Sequence, residues 1–215
     1  DYTALLAAIE LYQVTKKPPY LEAARKRQRS LVARLARDER QQGFWRADSK
    51  GERPFFHAVE AGLPVVALLR YRAVEPDAAL HGPVLQAVSG SLAFELQITG
   101  EVYNPFGYAR QYVKDLGGGK RSAFFFPHRN ESGYWWQGES ARQGSLAAAA
   151  LLGGGLLPDQ KKALQVYASD QIDWILGLNP FDVCMLQGRG RNNPEYEADQ
   201  PNAPYLEAVV AYATR

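Results

Sequence analysis

The sequence predicts a mainly α fold built from antiparallel helical hairpins. Apolar residues recur three and four positions apart in seven segments, and Pro64, Pro83 and Pro158 stand where three of those segments begin. Strand-like signals are confined to two short stretches, 123–127 and 182–187, enough for a small ladder decorating a loop. The first helix carries Tyr2, Leu5, Ile9 and Tyr12 on one face and stops before Pro18-Pro19. A second runs from about Tyr20 to about Arg40, with the stripe Leu21, Ala24, Gln28, Leu31 and Leu35, and ends at a loop containing Gly43. Val65, Leu68 and Leu69 follow Pro64 in a third, and Leu85, Val88, Leu92 and Leu96 follow Pro83 in a fourth. The fifth opens at Glu139 and closes at Gly153 to Gly155. Pro158-Asp159 opens the sixth, whose stripe is Leu164, Tyr167, Gln171, Trp174 and Ile175, and Tyr205 to Thr214 reads as a seventh.

Composition narrows the function classes. With 215 residues, 46% apolar and 22% charged, the chain suits one globular domain with a sizeable core. Cys184 is the one cysteine, which excludes a disulfide framework and reads as a buried structural thiol. His57, His81 and His128 lie far apart in sequence, so no Cys/His zinc cage is expected, and no metal or cofactor is called for. No apolar run approaches the ~20 residues of a membrane-spanning helix. One cysteine and no secretory pattern over residues 1–12 favour the cytoplasm over export.

The charge is unevenly spread. Residues 16–40 hold nine basic and three acidic side chains, a net +6 inside a chain whose total is +2. The economical account is a solvated helix face, because the interleaved aromatics of single-strand nucleic-acid binders are missing. No nucleic-acid partner and no membrane partner are therefore expected.

Aromatic and polar residues without helical periodicity crowd two long connections, 101–138 and 178–204. Connections longer than about 12–15 residues are uncommon in compact domains and often carry function. Long connections at one end and short ones at the other place the candidate site at the end with the long loops. Tyr108, Arg110, His128, Trp135, Trp136 and Glu139 fall in the first connection or its exit, and Arg189 and Asn192 in the second. Flat rings beside amide, guanidinium and carboxylate groups suit a sugar, whose C–H face stacks while its hydroxyl rim is hydrogen-bonded. Each has a structural alternative: the tryptophans as plugs, Glu139 as a first-turn acid favoured by the helix dipole, His128 as a turn residue. Phe55 to Ala61 places His57 ahead of a helix start, a weaker pocket candidate, and His81 reads as structural. Gly188-Arg189-Gly190 lacks the third glycine of a dinucleotide fingerprint and reads as a tight turn presenting Arg189 and Asn192. Ser140 and Ser145 lie on a helix without a nucleophile elbow.

Several motifs resemble glycoside hydrolase family 9. Residues 171–180, Gln-Ile-Asp-Trp-Ile-Leu-Gly-Leu-Asn-Pro, are similar to the helix-to-loop signature near the end of its catalytic domain, and 188–194 to the glycine-rich element that follows. Residues 8–15 with 20–24 resemble its helical hairpin, and Ser132 to Glu139 its cellulase-like and exo-glucosaminidase branch. The resemblance implies an (α/α)6 barrel, a toroid of helical hairpins that is incomplete in this chain. It implies a β-linked oligosaccharide as partner and hydrolysis of β-1,4 glucan or glucosamine chains with inversion, by endoglucanase or exo-β-glucosaminidase action. Inversion needs an acid and a base roughly 6.5–9.5 Å apart.

The sequence departs from the family pattern in two places. It has no Asp-Ala-Gly-Asp pair to activate water, and Pro204 runs straight into the apparent last helix at Tyr205. The expectation is a single partial domain over 1–215, with amino-terminal helices and a segment between Pro204 and Tyr205 missing. The rest of its own domain, or a second chain, would cover the exposed flank. The catalytic residues stay unassigned, and the chain by itself is expected to be inactive. The alternative function is a non-catalytic carbohydrate-binding or scaffold protein.

Overall fold

The structure, a computed structural model, describes residues 1–55, 60–114, 118–124, 138–186 and 188–193, and the backbone of 128–130 and 133–135. Among these residues there are six α-helices: α1 (Tyr2–Thr15), α2 (Pro18–Val32), α3 (Leu63–Val74), α4 (His81–Thr99), α5 (Glu139–Gly154) and α6 (Lys161–Leu176). The seventh helix expected at 205–214 lies outside the described residues.

Local chemistry sets the helix ends. Lys16 turns α1 off in a left-handed conformation (φ 56°), its N–H bonded to the Tyr12 carbonyl, and Pro18-Pro19 then starts α2 where missing N–H groups cost nothing. Gly177 ends α6 at φ 118°, a conformation that favours glycine.

Connection lengths alternate. Two residues join α1 to α2, and short turns join α3 to α4 and α5 to α6, whereas 33–62, 100–138 and the chain after 177 are long. Successive helices linked this way run antiparallel, so every long connection emerges at one end. In a second direction α1 packs on α3 and α3 on α5, while α2 touches α4 and α4 touches α6. The odd helices thus form one layer and the even helices the other, giving three successive hairpins of an (α/α) barrel.

The periodic stripes are the core. Leu5, Ile9, Leu68, Val84, Val88, Leu92 and Leu164 are essentially inaccessible, and all five members of the predicted α6 stripe are buried. Gln171, the polar member, uses its amide to staple the connection that follows α4: Oε1 accepts from Ala109 N (2.9 Å) and Nε2 donates to Gly107 O (2.8 Å). Between α2 and α3, the buried Glu75 carboxylate receives a two-pronged bond from Arg25 (2.6 and 2.8 Å) and a third from the Tyr71 hydroxyl (2.6 Å). Led by Arg25, these partners outweigh burial and hold Glu75 at about 2.

The strands correct the sequence reading. α2 stops at Val32, and the stretch expected to prolong it forms β1 (Leu35–Arg37), antiparallel to β2 (Gln42–Trp45) with Leu35 opposite Trp45. Leu35 keeps the helical spacing from Leu31. The hairpin wins because Phe44 is buried against Phe94 and Trp45 joins the main core, its indole N–H bonded to Ser91 (2.9 Å). β3 (Gln111–Lys114) pairs with β4 (Lys120–Ala123), and β5 (His128–Asn130) with β6 (Gly133–Trp135). The strand expected at 123–127 is thus shifted to end at Ala123, and 125–127 lie outside the described residues. The one expected at 182–187 is absent from the described 182–186, because Asn179 folds that segment into a loop. Its Nδ2 donates to the Trp174 and Val183 carbonyls (both 2.8 Å) and its Oδ1 accepts from Phe181 and Val183 N–H.

Gly62 fixes how closely α3 and α5 approach. A Cβ there would stand 2.0 Å from the Ser145 carbonyl oxygen, whose own side chain accepts from Gly62 N (3.0 Å). Gly62→Ala should lower stability by about 2–3 kcal/mol in urea unfolding. Gly82→Ala, at a helical site with open space, should be neutral or slightly stabilising.

Candidate functional site

The end bearing the long connections is held together by one aromatic cluster. The Trp174 ring packs against Tyr108 (4.3 Å between centroids) and edge-on against Phe106 (5.9 Å), with Phe124 and Phe181 completing the group. Phe106, Tyr108 and Phe124 come from the first long connection and Phe181 from the second, so both converge on the C-terminal turn of α6.

Beside this cluster lies a buried polar network. Gly138 enters α5 at φ 88°, and Glu139 occupies the first turn. Its carboxylate accepts from the Tyr108 hydroxyl and from Arg142 Nε (2.9 Å) and Nη2 (2.6 Å). Arg142, only 2% exposed, also donates from Nη2 to the Ala109 carbonyl (2.8 Å) and sits over the Tyr108 ring. Burial and the neighbouring Glu139 carboxylate push the Tyr108 phenol well above its ordinary range.

A small cavity adjoins the network, lined by Trp45, Phe55, Glu95, Arg110, Gln111 and Arg142 among others. Burial pushes the Glu95 carboxyl up to about 7, against the pull of Arg142 and of a bond from the Tyr167 hydroxyl (3.2 Å). Arg110 Nε and Gln111 Nε2 are buried there without a hydrogen-bond partner. The volume of about 40 Å³ matches a few water molecules, not a sugar ring. No group of three or more His, Cys, Asp or Glu side chains suits a metal ion among the described residues.

The residues singled out from sequence fall into three groups. Tyr108, Arg110 and Glu139 lie close together, but Tyr108 and Arg110 are buried and present no exposed face. Arg110 Nη1 is spent on the Ile98 carbonyl (3.0 Å) and Glu101 (2.7 Å), with its guanidinium over Phe124. His128 and Trp135 are brought directly opposite each other in the β5–β6 register. Trp136 and His57 lie outside the described residues.

Arg189 and Asn192 sit in a tight turn of the second connection, with Gly188 (φ 68°) and Gly190 (φ 71°) in left-handed conformations. Gly190 is obligatory because a Cβ would strike Cys184, which is buried as expected. Arg189 is exposed, while the Asn192 amide is turned back onto the Asp182 carbonyl (2.9 Å).

Glu95, Arg142 and Trp174 were not chosen from sequence. Arg142 was within reach as the i+3 partner of Glu139. Glu95 stands three residues beyond Leu92, an acid at the margin of an apolar stripe.

A family comparison decides what this half-barrel is. The model of glycosyl hydrolase family 9 matches residues 3–204, nearly the whole chain. The chain belongs to glycosyl hydrolase family 9. The match is to part of that catalytic domain, in keeping with the resemblance to its C-terminal portion, and the helical hairpins are those of its (α/α)6 barrel. No curated protein sequence matches the chain. Membership makes it a glycosidase chain with a carbohydrate as ligand in general terms.

Two outcomes follow from the network. Arg142→Ala strands the Glu139 carboxylate and the Ala109 carbonyl, so unfolding free energy should fall by about 3 kcal/mol, and adding Glu139→Ala should restore part of it. For Glu95, the folded value of about 7 lies above the ordinary 4.5. The protonated form is therefore favoured by folding, and its contribution is full below pH 4.5 and lost as pH rises through 7. Glu95→Gln should flatten the stability profile between pH 4.5 and 7 and raise the melting temperature at pH 8.

Proposed function

We propose that this chain forms one wall of the glycan cleft of a family 9 glycosidase that hydrolyses β-1,4-linked glucan or glucosamine chains with inversion. The observation that supports the reading is the convergence of two long connections on Trp174, at the end where α3 and α5 begin. Ligands are commonly held by loops that a rigid scaffold gathers at one end.

In this reading Trp135, Trp136 and His128 supply the surface on which a sugar ring rests, and Arg189 meets its hydroxyl rim from the second connection, in a turn that Asn192 braces through Asp182. Tyr108, Arg110 and Glu139 hold that surface in place. Glu139 is a positioning residue: three donors already occupy its oxygens, which leaves it poorly placed to deliver a proton to a leaving group. The water-activating aspartate pair has no counterpart among these 215 residues. Single partial-domain organisation over 1–215 belongs to the same proposal.

Calorimetric titration with cellotetraose and deacetylated chitotetraose tests the reading. Binding should be measurable, and a Trp135→Ala, Trp136→Ala double variant should weaken it by about tenfold or more. Unchanged affinity in that variant would remove the tryptophans from the site. The chain alone should release no reducing sugar, and turnover would mean that a catalytic acid and base lie within it.

A further inference from the structure

The basic segment noted in the sequence ends in a cleft that the proposed glycan wall does not use. It lies between the β1–β2 and β3–β4 hairpins and encloses about 660 Å³, inside the range of roughly 300–1,000 Å³ typical of ligand pockets. Both hairpins belong to long connections, so the cleft opens at the same end of the helical array as the candidate site.

Its frame is pre-built around Asp38. The turn between β1 and β2 closes on that side chain, whose Oδ1 accepts from Arg40 and Gln41 N–H (both 2.9 Å). Its Oδ2 reaches across to the other hairpin, accepting from Tyr112 Oη and Lys120 Nζ (both 3.0 Å). Arg40 Nη1 crosses in the same direction to the Lys120 carbonyl (3.0 Å). Burial disfavours the Asp38 charge, yet the Arg40 and Gln41 amides, then Lys120 and Tyr112, hold it at about 2.

Asp38 and Lys120 therefore cancel within the frame. The lining that remains carries Arg37, Arg40, Arg46 and Lys50 against Glu39 and Glu52. None of these six makes a salt bridge among the described residues. The guanidinium bonds of Arg40 and Arg46 go to backbone carbonyls, which leave their charge uncompensated. Asp48, held by the Lys50 and Gly51 amides, offsets Arg46 only from the side. Arg37 and Lys50 are exposed at the rim, and Phe44 and Tyr112 lie buried beneath the cleft. A concave surface with an excess of one sign of charge over low-dielectric walls concentrates the opposite charge.

We infer that this cleft binds an anionic saccharide, a β-linked chain bearing carboxylate or sulfate groups. Guanidinium forks match either group. The inference rests on the reading of this end of the molecule as a glycan site and adds the charge class of the ligand. A nucleic acid would supply anions too, but Phe44 and Tyr112 are only 3% and 4% exposed and offer no face for stacked bases.

Three tetrasaccharides separate the cases in titrations of the full chain: cellotetraose, deacetylated chitotetraose, and one alternating glucuronate with N-acetylglucosamine. At low salt the acidic one should bind about tenfold tighter than cellotetraose, and the margin should shrink several-fold at 0.5 M salt. A double variant, Arg37→Gln with Lys50→Gln, should abolish that margin while leaving cellotetraose affinity and the melting temperature unchanged. A sulfated cello-oligosaccharide beside the glucuronate probe shows which anionic group is preferred, and preference for either supports the inference. Equal affinity for neutral and acidic chains, preference for the chitosan chain, or an unaltered margin in the double variant would overturn it while the proposed glycan wall stands. Tighter binding of a single-stranded oligonucleotide than of the acidic saccharide would overturn it as well. Failure of every saccharide to bind would refute the glycan wall itself.

Discussion

The guanidinium of Arg142 is the constraint on which the functional end depends. A charge that is 2% exposed is tolerated only where partners surround it, and Arg142 finds them on three sides. Glu139 lies one turn back on its own helix, the Ala109 carbonyl comes from the long connection, and the Tyr108 ring covers its face. The same side chain therefore fixes the start of α5 and the path of the chain after α4. Gln171 grips that path from the opposite helix, through Ala109 N and Gly107 O. Residues 107–109 are thus clamped from α5 and from α6. The β3 strand that follows, with Tyr112 at the floor of the basic cleft, inherits its position from that clamp.

Much of this was legible in the sequence because it is local. Helical periodicity located all six described helices, and the five-residue stripe of α6 was read without error, including the polar Gln171. Proline and glycine marked the boundaries because they act on their own backbone. The alternation of short and long connections gave the polarity of the array. What escaped was decided at long range. Leu35 continues the stripe of α2, and nothing nearby announces that Trp45 will pair with it across a turn. Phe44 settles the matter by being buried against Phe94, fifty residues on. The site was legible in composition more than in role. Tyr108, Arg110 and Glu139 do gather in one place, yet a sequence shows a charged residue without showing its partner. Arg110 looked like a finger for a ligand and is spent on Ile98 and Glu101.

The layered arrangement explains where the molecule is closed and where it is open. α3 sits between α1 and α5 and is buried along most of its length, as the middle member of the odd layer should be. The outer members differ. α1 exposes Leu11 and Val14, the latter 82% accessible, and the α5–α6 hairpin exposes Leu151, Leu152, Ile172 and Leu176. Apolar side chains at helical spacing on both flanks, and not on the middle helix, are what an arc of a ring leaves uncovered. Three hairpins of a six-hairpin barrel supply just such an arc.

The charge distribution acquires a physical meaning once the fold is in place. On α2, Arg25 pairs with Glu22 and Glu75 and Arg27 with Asp1, which Arg34 also reaches from just beyond the helix, while Lys26 and Arg29 are exposed to solvent. These pairs tie the helix to its neighbours, and the remaining charge of α2 faces solvent. Beyond Val32 the pattern changes, because the chain has left the helix and turned into the hairpin. There the acids Asp38 and Glu39 are outnumbered, and Asp38 is committed to the frame. The positive charge of residues 16–40 is thus paired where it faces other helices, solvated along the outside of α2 and in excess where it faces the cleft. A solvated helix face, the economical reading of the sequence, describes α2 well. It does not describe Arg37 and Arg40, which the hairpin carries away from the helix and gathers with Arg46 and Lys50 around one concavity.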